Sequence, residues 1–385
     1  MTSQPVVTRL YIHIPWCRSL CSYCSFYSEP VNSAAQLDLT VQLLCRELAL
    51  QTEALQLNAP LQSIYFGGGT PSLLSPKQLE QLLNAAQNRF GLAQSCEITL
   101  EANPGTVSRE TLSDYRQLGV TRISLGIQSF DDQTLQMLGR CHTSSEGHRA
   151  YADARSAGFP SVSIDLMAGL PGSLPLWQET LQQALALAPD HISLYGLSLD
   201  PDTPLARQVD QGLLTLPDDD QVADQLETAA RQFEAAGLQW YEIANFARDG
   251  HQSRHNSGYW LRDGYLGLGP AAHSFLKQGA GVRFANPASF DRWRSGIEAG
   301  CLVQEEHQRL TAQQARSETV FLGLRLAAGI DLSLLDHQFG GDFAREHHHA
   351  IVRCQQAGLL THTGERLMLT NQGRLMANQV LSLFI

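Results

Sequence analysis

Short apolar segments alternate with longer segments of helical periodicity between about residues 10 and 246. The short segments are rich in β-branched residues, as buried strands are, and the longer ones repeat their apolar positions every three or four residues. Six strands are predicted in this way, over residues 10–14, 63–66, 97–100, 122–127, 161–166 and 191–197. Because strands that alternate with helices pair in parallel, the pattern predicts an α/β fold with a partial (β/α)6 barrel.

The segments between these strands carry the start signals of helices. Ser75, Pro76 and Gln78 supply a capping serine, a first-turn proline and a reciprocating glutamine ahead of an apolar stripe. Further helices are predicted over residues 36–57, 108–118, 145–157, 176–187 and 221–236, with an additional edge strand over residues 241–244.

The pattern changes after residue 250, where an aromatic and glycine-rich stretch begins. We therefore expect three parts: a barrel over residues 1–250, a connector over residues 251–309 and a C-terminal domain over residues 310–385. Helical patterns at 312–326 and 343–356, an extended pair around 361–370 and a last helix predict that the C-terminal domain is small, mainly helical and winged-helix-like.

The composition limits which partners the protein can be expected to bind and in which cellular compartment it is expected. The chain has 385 residues, of which 43% are hydrophobic and 17% charged, and its formal net charge is −11. Phosphate binding depends on clustered Lys and Arg, so this charge argues against nucleic acid as a partner, even for a winged-helix domain. The sequence has neither an apolar leader before the first strand nor a run of about eighteen apolar residues, and we expect a cytoplasmic protein.

Three of the eight cysteines lie within one short segment, Cys17-x-x-x-Cys21-x-x-Cys24, directly after the first predicted strand. In barrels of this kind, active sites lie at the carboxyl ends of the strands. Three soft thiolates can ligate three irons of a cubane and leave the fourth iron open. Structural zinc is the alternative, but it requires a fourth ligand and the sequence has no second pair of cysteines.

The cysteine spacing, with Tyr23 just before the last cysteine, is similar to the cluster loop of the radical S-adenosylmethionine (SAM) superfamily. The second predicted strand ends in Gly-Gly-Gly-Thr-Pro, and glycine permits the close backbone approach to SAM that the resemblance implies. The resemblance implies a [4Fe-4S] cluster on Cys17, Cys21 and Cys24, SAM at its open iron and a one-electron reductant as partner. It implies that SAM is contacted by Tyr11, Tyr23, Gly68, Gly69, Thr70, Glu101, Gln128, Arg140 and Asp165.

Within that superfamily the chain resembles the coproporphyrinogen dehydrogenase-like family, which includes oxygen-independent coproporphyrinogen III dehydrogenases and heme chaperones. The dehydrogenases have a fourth cysteine where this chain has Phe26, and a longer arm before the cluster loop than the sixteen residues that precede Cys17. The motif His255-Asn256-x-x-Tyr259-Trp260 resembles the HNxxYW signature of the chaperones. These features favour the chaperone branch.

The resemblance implies that His255, Asn256, Tyr259 and Trp260 bind heme. An imidazole can ligate heme iron and aromatic rings can cover the macrocycle. The expected partners are heme, recipient apo-hemoproteins and a heme donor such as a bacterioferritin-type protein, while a homodimer and peripheral membrane association through recipients stay open. The alternative function is oxidative decarboxylation of coproporphyrinogen III in heme biosynthesis.

Overall fold

A computed structural model describes residues 5–172 and 174–384 of the chain. The strands, numbered along the chain, are β1 (Arg9–Ile14), β2 (Trp16–Cys17), β3 (Glu29–Pro30), β4 (Leu61–Gly68), β5 (Leu92–Ala102), β6 (Arg122–Gln128), β7 (Ser161–Ala168), β8 (His191–Gly196), β9 (Gln239–Glu242), β10 (Asn245–Ala247), β11 (Tyr265–Leu268), β12 (His273–Leu276), β13 (Val282–Ala285), β14 (Glu305–Arg309), β15 (Ile330–Asp331), β16 (Leu360–Thr363) and β17 (Arg366–Leu369).

The helices are α1 (Ala34–Leu55), α2 (Pro76–Phe90), α3 (Arg109–Gln117), α4 (Asp132–Met137), α5 (Ser144–Ser156), α6 (Leu174–Ala186), α7 (Pro204–Asp210), α8 (Asp219–Ala235), α9 (Arg254–Trp260), α10 (Phe290–Glu298), α11 (Ala312–Gly323), α12 (Leu332–Phe339), α13 (Phe343–Glu346), α14 (His348–Gln356), α15 (Asn371–Leu375) and α16 (Ala377–Leu381). Among the described residues, no helix has the length and apolar character needed to cross a bilayer. The predicted capping box of α2 is confirmed, because the Ser75 and Gln78 side chains each bond the other's backbone N–H.

One large sheet organises the barrel. Over the described ranges it has twelve strands, in the order β14-β13-β12-β11-β1-β4-β5-β6-β7-β8-β10-β9. The strands from β11 to β8 in this order run parallel, and the strands beyond them on either side are antiparallel. The six predicted strands correspond to β1, β4, β5, β6, β7 and β8, so the predicted α/β class with parallel strands is confirmed.

The segment that follows residue 250 contributes more to the sheet than its sequence indicates. It supplies β11 to β14, and β11 pairs in parallel with β1. These strands are four or five residues long, too short for a clear periodic pattern. The predicted edge strand over residues 241–244 is two antiparallel strands, β9 and β10.

The two faces of the parallel strands differ in chemistry, because successive side chains of a strand point to opposite faces. On β1 and β4, Leu10, Ile12, Ile64 and Phe66 are almost fully buried in the main hydrophobic core together with residues of α1 and α2. The positions between these residues, Tyr11, Ser63 and Tyr65, are polar or aromatic. The inner face of the barrel is therefore a polar surface, available for chemistry.

The C-terminal segment has its own hydrophobic core, built around residues such as Leu324, Leu335 and Ile351. Its strands form a three-stranded sheet in the order β15-β17-β16, surrounded by α11 to α16. It meets the barrel at the edge strand β9, where the Ala327 N–H donates to the Tyr241 carbonyl at 2.9 Å. The domain boundaries at residues 250 and 309 stay a prediction. The connector between them is not separate from the barrel, because its strands β11 to β14 belong to the barrel's sheet.

Helix α9 packs so closely on β1 that it has room only for glycine at one position. A Cβ on Gly258 would overlap the guanidinium of Arg9, which is fixed by an ion pair with Asp263 at 2.6 Å. Gly147 in α5 is a matched control, because a Cβ there would lie 3.8 Å from the nearest atom, a methyl carbon of Ile127.

We expect Gly258→Ala to lower the free energy of unfolding by about 1–3 kcal/mol, the usual cost of overpacking. Gly147→Ala should raise it by up to about 1 kcal/mol, because alanine favours a helix more than glycine does. Thermal and denaturant unfolding would measure both changes. Equal stability of the two variants would contradict the packing of α9 against Arg9.

Candidate functional site

The three clustered cysteines lie on one loop at the carboxyl end of β1. Cys17 ends β2, and Cys21 and Cys24 follow in the loop. The loop is fixed to the barrel between these residues, where the Ser22 N–H donates to the Leu138 carbonyl at 3.0 Å. The thiols therefore lie at the end of the strands where barrels of this kind place their active sites.

Polar side chains from two other elements contact the thiols. The Thr70 hydroxyl donates to Cys17 Sγ at 3.4 Å, and Arg140 Nη1 donates to Cys21 Sγ at 3.4 Å. Burial raises the pKa of Cys17 and of Cys24, and the charge of Cys21 raises both further. Deprotonated thiolates at these positions therefore require compensating positive charge, which a metal centre supplies and Arg140 supplies in part.

The described residues contain no group of three or more His, Cys, Asp or Glu side chains that is arranged to hold a metal ion. A cubane differs from a single ion, because each thiolate ligates a different iron at a separate corner. The fit of a [4Fe-4S] cluster to this site therefore rests on three soft thiolates in one loop and on their charged and polar neighbours.

The glycine-rich turn after β4 is bonded to the start of the cysteine loop. The Gly69 and Thr70 N–H groups donate to the carbonyls of Ile14 and Trp16, each at 2.8 Å. A Cβ on Gly69 would lie 2.8 Å from the Trp16 oxygen and 2.9 Å from the Ile14 oxygen, closer than a real side chain can come. The turn thus needs glycine at this position for its contact with β1 and the loop.

Two half-buried carboxyl groups lie on the inner face beneath the loop. Tyr65 Oη donates to Glu101 Oε1 at 2.6 Å, and Ser124 Oγ donates to Asp165 Oδ1 at 3.0 Å. Burial raises the pKa of Glu101 to about 7, with a further contribution from the charge of Asp165. Burial also raises the pKa of Asp165 to about 6. Tyr11 stacks on Tyr65 beside them, with ring centroids 6.2 Å apart.

Arg140 joins β6 to the cysteine loop. Besides its contact with Cys21, its Nη2 donates to the Gly126 carbonyl at 2.6 Å. Gln128 lies at the end of the same strand in the left-handed region, with φ of 66°. Tyr23 lies beside Arg140, whose positive charge interacts with the Tyr23 hydroxyl. The structure thus brings the SAM-binding residues predicted from the sequence to one end of the barrel.

Helix α9, which carries the HNxxYW motif, lies further down the inner face. Its N-terminus is capped by Glu97 of β5, whose carboxylate accepts the N–H groups of Arg254 and His255 at 3.0 Å and 2.9 Å. Glu97 precedes Glu101 by four residues on the same strand, roughly 13 Å along an extended chain. A carboxylate at this end also complements the helix dipole.

His255 is fully buried, with 0% of its surface exposed. Its Nδ1 is hydrogen-bonded to Ser63 Oγ and its Nε2 to Tyr259 Oη, each at 2.9 Å. Burial lowers its pKa to about 3, so the ring is neutral. Because both ring nitrogens have protein partners here, ligation of heme iron by His255 requires one of these hydrogen bonds to break.

The other residues of the motif face different surroundings. Tyr259 lies against Tyr265 with ring centroids 4.6 Å apart, on the barrel side of the helix. Trp260 is half-buried and lies under the guanidinium of Arg325 from the C-terminal domain, 5.5 Å from the ring centroid. Asn256 is half-buried and its N–H donates to Ser253 Oγ at 3.2 Å. The motif therefore contacts both the barrel and the C-terminal domain.

Sequence reasoning missed Tyr65, which contacts both groups of predicted residues. Its hydroxyl bonds Glu101, and its ring lies 5.0 Å from the His255 ring, centroid to centroid. The available signal was its position two residues before Gly67 on β4, which puts it on the inner face of the strand. Arg9, Ser63 and Glu97 were missed as well, although each is a polar residue within a predicted or adjacent strand segment.

Comparison with known proteins identifies the family. Residues 11–183 match the model of the radical SAM superfamily, and residues 310–376 match the model of the HemN C-terminal domain. The chain is 34% identical to the heme chaperone HemW of Bacillus subtilis over 97% of this chain and 98% of that protein. The chain belongs to the HemW family of radical SAM proteins. The family predicted from the cysteine, glycine and HNxxYW motifs is thereby confirmed.

A second HemW, from Escherichia coli, is 42% identical over 69% of each chain. Among solved structures, coproporphyrinogen III oxidase (HemN) from E. coli, a radical SAM enzyme, superposes with a TM-score of 0.85. The match covers 99% of this chain and 90% of HemN at 22% identity, so the likeness is one of fold. Together with the two family models, it confirms the predicted radical SAM core and C-terminal domain for this member of the HemW family.

The raised pKa of Glu101 predicts a pH dependence of stability. In the folded protein the Glu101 carboxyl keeps its proton up to about pH 7. In the unfolded chain the same carboxyl has the ordinary pKa of 4.5 and loses its proton at lower pH. Between these values the folded state binds more protons than the unfolded chain, so the free energy of unfolding falls as pH rises. Glu101→Gln should reduce that fall by roughly 1–3 kcal/mol.

Unfolding curves of the wild type and of Glu101→Gln between pH 5 and pH 7.5 would measure the effect. Glu110→Gln, at an exposed position of α3, is the control and should follow the wild type. If the Glu101→Gln curve also runs parallel to the wild type, the account of Glu101 as a buried acid with a raised pKa is wrong.

Proposed function

We propose that the chain is a heme chaperone, which binds heme at the HNxxYW helix and transfers it to apo-hemoproteins, and which carries a SAM-liganded [4Fe-4S] cluster. One observation carries this proposal. The motif helix α9 packs near the amino ends of β1 and β4. At their carboxyl ends, these two strands lead to the cysteine loop and the glycine turn. The full-length similarity to proteins named heme chaperone HemW supports it.

For the cluster, Cys17, Cys21 and Cys24 are the proposed ligands. When bound, the cluster would supply one-electron chemistry, with one iron left for SAM. Arg140 offers a guanidinium for the SAM carboxylate, and Glu101 and Asp165 offer acceptors for amino or hydroxyl groups. The remaining proposed SAM contacts are Tyr11, Tyr23, Gly68, Gly69, Thr70 and Gln128.

For heme, we propose that His255 Nε2 gives up its hydrogen bond to the Tyr259 hydroxyl and ligates the heme iron instead. The neutral imidazole is the form that ligates a metal, and burial keeps this ring neutral over the whole physiological range of pH. The released Tyr259 hydroxyl would lie next to the bound macrocycle, and Asn256 and Trp260, which face other surroundings here, are the remaining proposed heme contacts. The lost hydrogen bond reduces the net affinity, which suits a protein that must also release its cargo.

Tyr65 connects the two proposed sites. It bonds Glu101 at the SAM end and lies against the His255 ring at the heme end. A movement of His255 toward iron changes the packing on Tyr65 and hence the position of Glu101. We therefore propose that heme and SAM binding are energetically coupled, and such coupling is reciprocal.

Oxygen-independent coproporphyrinogen III dehydrogenase is the alternative, because HemN has the same fold. Phe26 counts against it, since this residue stands where the dehydrogenases have a fourth cysteine and its side chain is 73% exposed. The deciding experiment uses anaerobically reconstituted protein. Heme uptake with a Soret band and transfer to an apo-hemoprotein would support the chaperone, whereas conversion of coproporphyrinogen III to protoporphyrinogen would support the enzyme and contradict the chaperone.

We predict that His255→Ala weakens heme binding by at least about tenfold while the cluster absorbance is retained. Cys21→Ser should have the reverse effect, with loss of cluster absorbance and retained heme binding, because the proposed ligand sets are separate. His337→Ala, at an exposed position of α12, is the control for loss of a histidine. Heme spectra and affinity that match between His255→Ala and His337→Ala would refute the assignment of His255 as the iron ligand.

A further inference from the structure

A cavity of about 490 Å³ lies between the barrel and the C-terminal domain. The barrel side is formed by the edge of the large sheet, with Leu194, Trp240 and Phe246. The opposite side is formed by α15, α16 and the segment after α11, with Arg325, Arg374 and Met376. Cavities that bind small molecules have volumes of roughly 300–1,000 Å³ and are common at domain interfaces.

Two arginines provide the positive charge of this cavity. Arg374 Nη1 donates to the Trp240 carbonyl at 3.1 Å, and Arg325 Nη2 donates to Asn378 Oδ1 at 3.1 Å. The Nε of each arginine is buried and has no hydrogen-bond partner among the described residues. An anion in the cavity cannot reach these buried Nε atoms, but charge-assisted hydrogen bonds from the remaining guanidinium nitrogens would stabilise it.

Charge in and around the cavity favours an anion. No acidic residue is among the described residues that line it. The acids whose charges act on the two arginines, Glu242 on Arg325 and Glu234 on Arg374, lie behind the lining. Burial lowers the pKa of both arginines, and the charges of Glu242 and Glu234 act in the opposite direction.

The barrel wall of the cavity is apolar and partly aromatic. The Trp240 ring stacks on Phe246, with centroids 5.1 Å apart and an angle of 25° between the planes. Ile243 extends this wall, and Met376 faces it from the C-terminal domain, where its side chain is 38% exposed. The Arg374 guanidinium lies over the Trp240 ring, 5.1 Å from its centroid, so a flat apolar ring system with acidic groups at one edge would pack against Ile243 and Met376, with its acids at the arginines.

We propose that this cavity is a second ligand site, separate from the HNxxYW helix, which binds a planar tetrapyrrole through carboxylate contacts with Arg325 and Arg374. The cavity chemistry specifies a flat ring with carboxylates, and the choice of a tetrapyrrole among such molecules rests on the proposed heme function. Arg325 also lies over Trp260, the last residue of the motif, so the cavity adjoins α9. No iron ligand is required for this site.

The test uses metal-free protoporphyrin IX and its dimethyl ester, because neither contains iron for His255 to ligate. Fluorescence titration of the wild-type protein should give binding of the diacid that is at least about tenfold tighter than binding of the ester. Arg374→Gln and Arg325→Gln should each weaken diacid binding and leave ester binding unchanged. Arg366→Gln, a half-exposed arginine of the same domain, is the matched control.

Met376→Trp is a second variant, which fills the cavity without altering either arginine. It should weaken binding of the diacid and of the ester alike. The inference is overturned if wild-type protein binds diacid and ester equally, or if the cavity variants bind the diacid as Arg366→Gln does. Thermal unfolding of each variant confirms that it is folded.

Heme titration of the same variants separates this inference from the proposed function. Heme binding that depends on His255, together with porphyrin binding that ignores the arginines, would overturn the inference and leave the chaperone standing. Porphyrin binding that depends on the arginines, without any heme binding or transfer, would support the cavity and contradict the chaperone.

Discussion

The pairing of β1 with β4 is the constraint on which both proposed sites depend. The two strands run in register from Arg9 opposite Ser63 to Ile14 opposite Gly68, and the Gly69 N–H continues the ladder to the Ile14 carbonyl. At the carboxyl end this pairing joins the glycine turn to the cysteine loop. At the amino end it sets Arg9 and Ser63 against α9. A slip of one residue would turn every inner side chain toward the hydrophobic core, so the register specifies both ends at once.

The position of α9 gives the HNxxYW motif a structural role in addition to any role in ligand binding. Glu97 caps the helix, Ser63 and Tyr259 hold the His255 ring, and Arg9 leaves space only for glycine at position 258. The proposed heme-binding helix is integrated into the barrel rather than attached to its surface. The proposed ligand exchange at His255 would therefore involve the packing of the inner face, and Tyr65 is the residue through which Glu101 would respond.

Local patterns in the sequence were sufficient for the parallel strands, the helix caps, the cysteine loop and the family. They were insufficient where the decisive contact is long-range. The capping of α9 by Glu97 joins residues 158 positions apart, and Ser63 contacts His255 across 192 positions. Within a strand pattern, a serine or a glutamate looks like any other polar residue. No neighbouring residue in the sequence indicates which distant side chain or backbone group it contacts. The strands β11 to β14 were missed because four or five residues carry too little periodicity, and their place beside β1 depends on tertiary pairing.

The motif helix and the proposed SAM end of the barrel would form one energetic unit through Tyr65. The affinity of the reconstituted protein for SAM, measured anaerobically by calorimetry without heme and with saturating heme, tests this most directly. Heme is expected to change the dissociation constant for SAM by about fivefold or more, and Tyr65→Phe should reduce this difference. An unchanged dissociation constant for SAM in the wild-type protein with heme bound would contradict it.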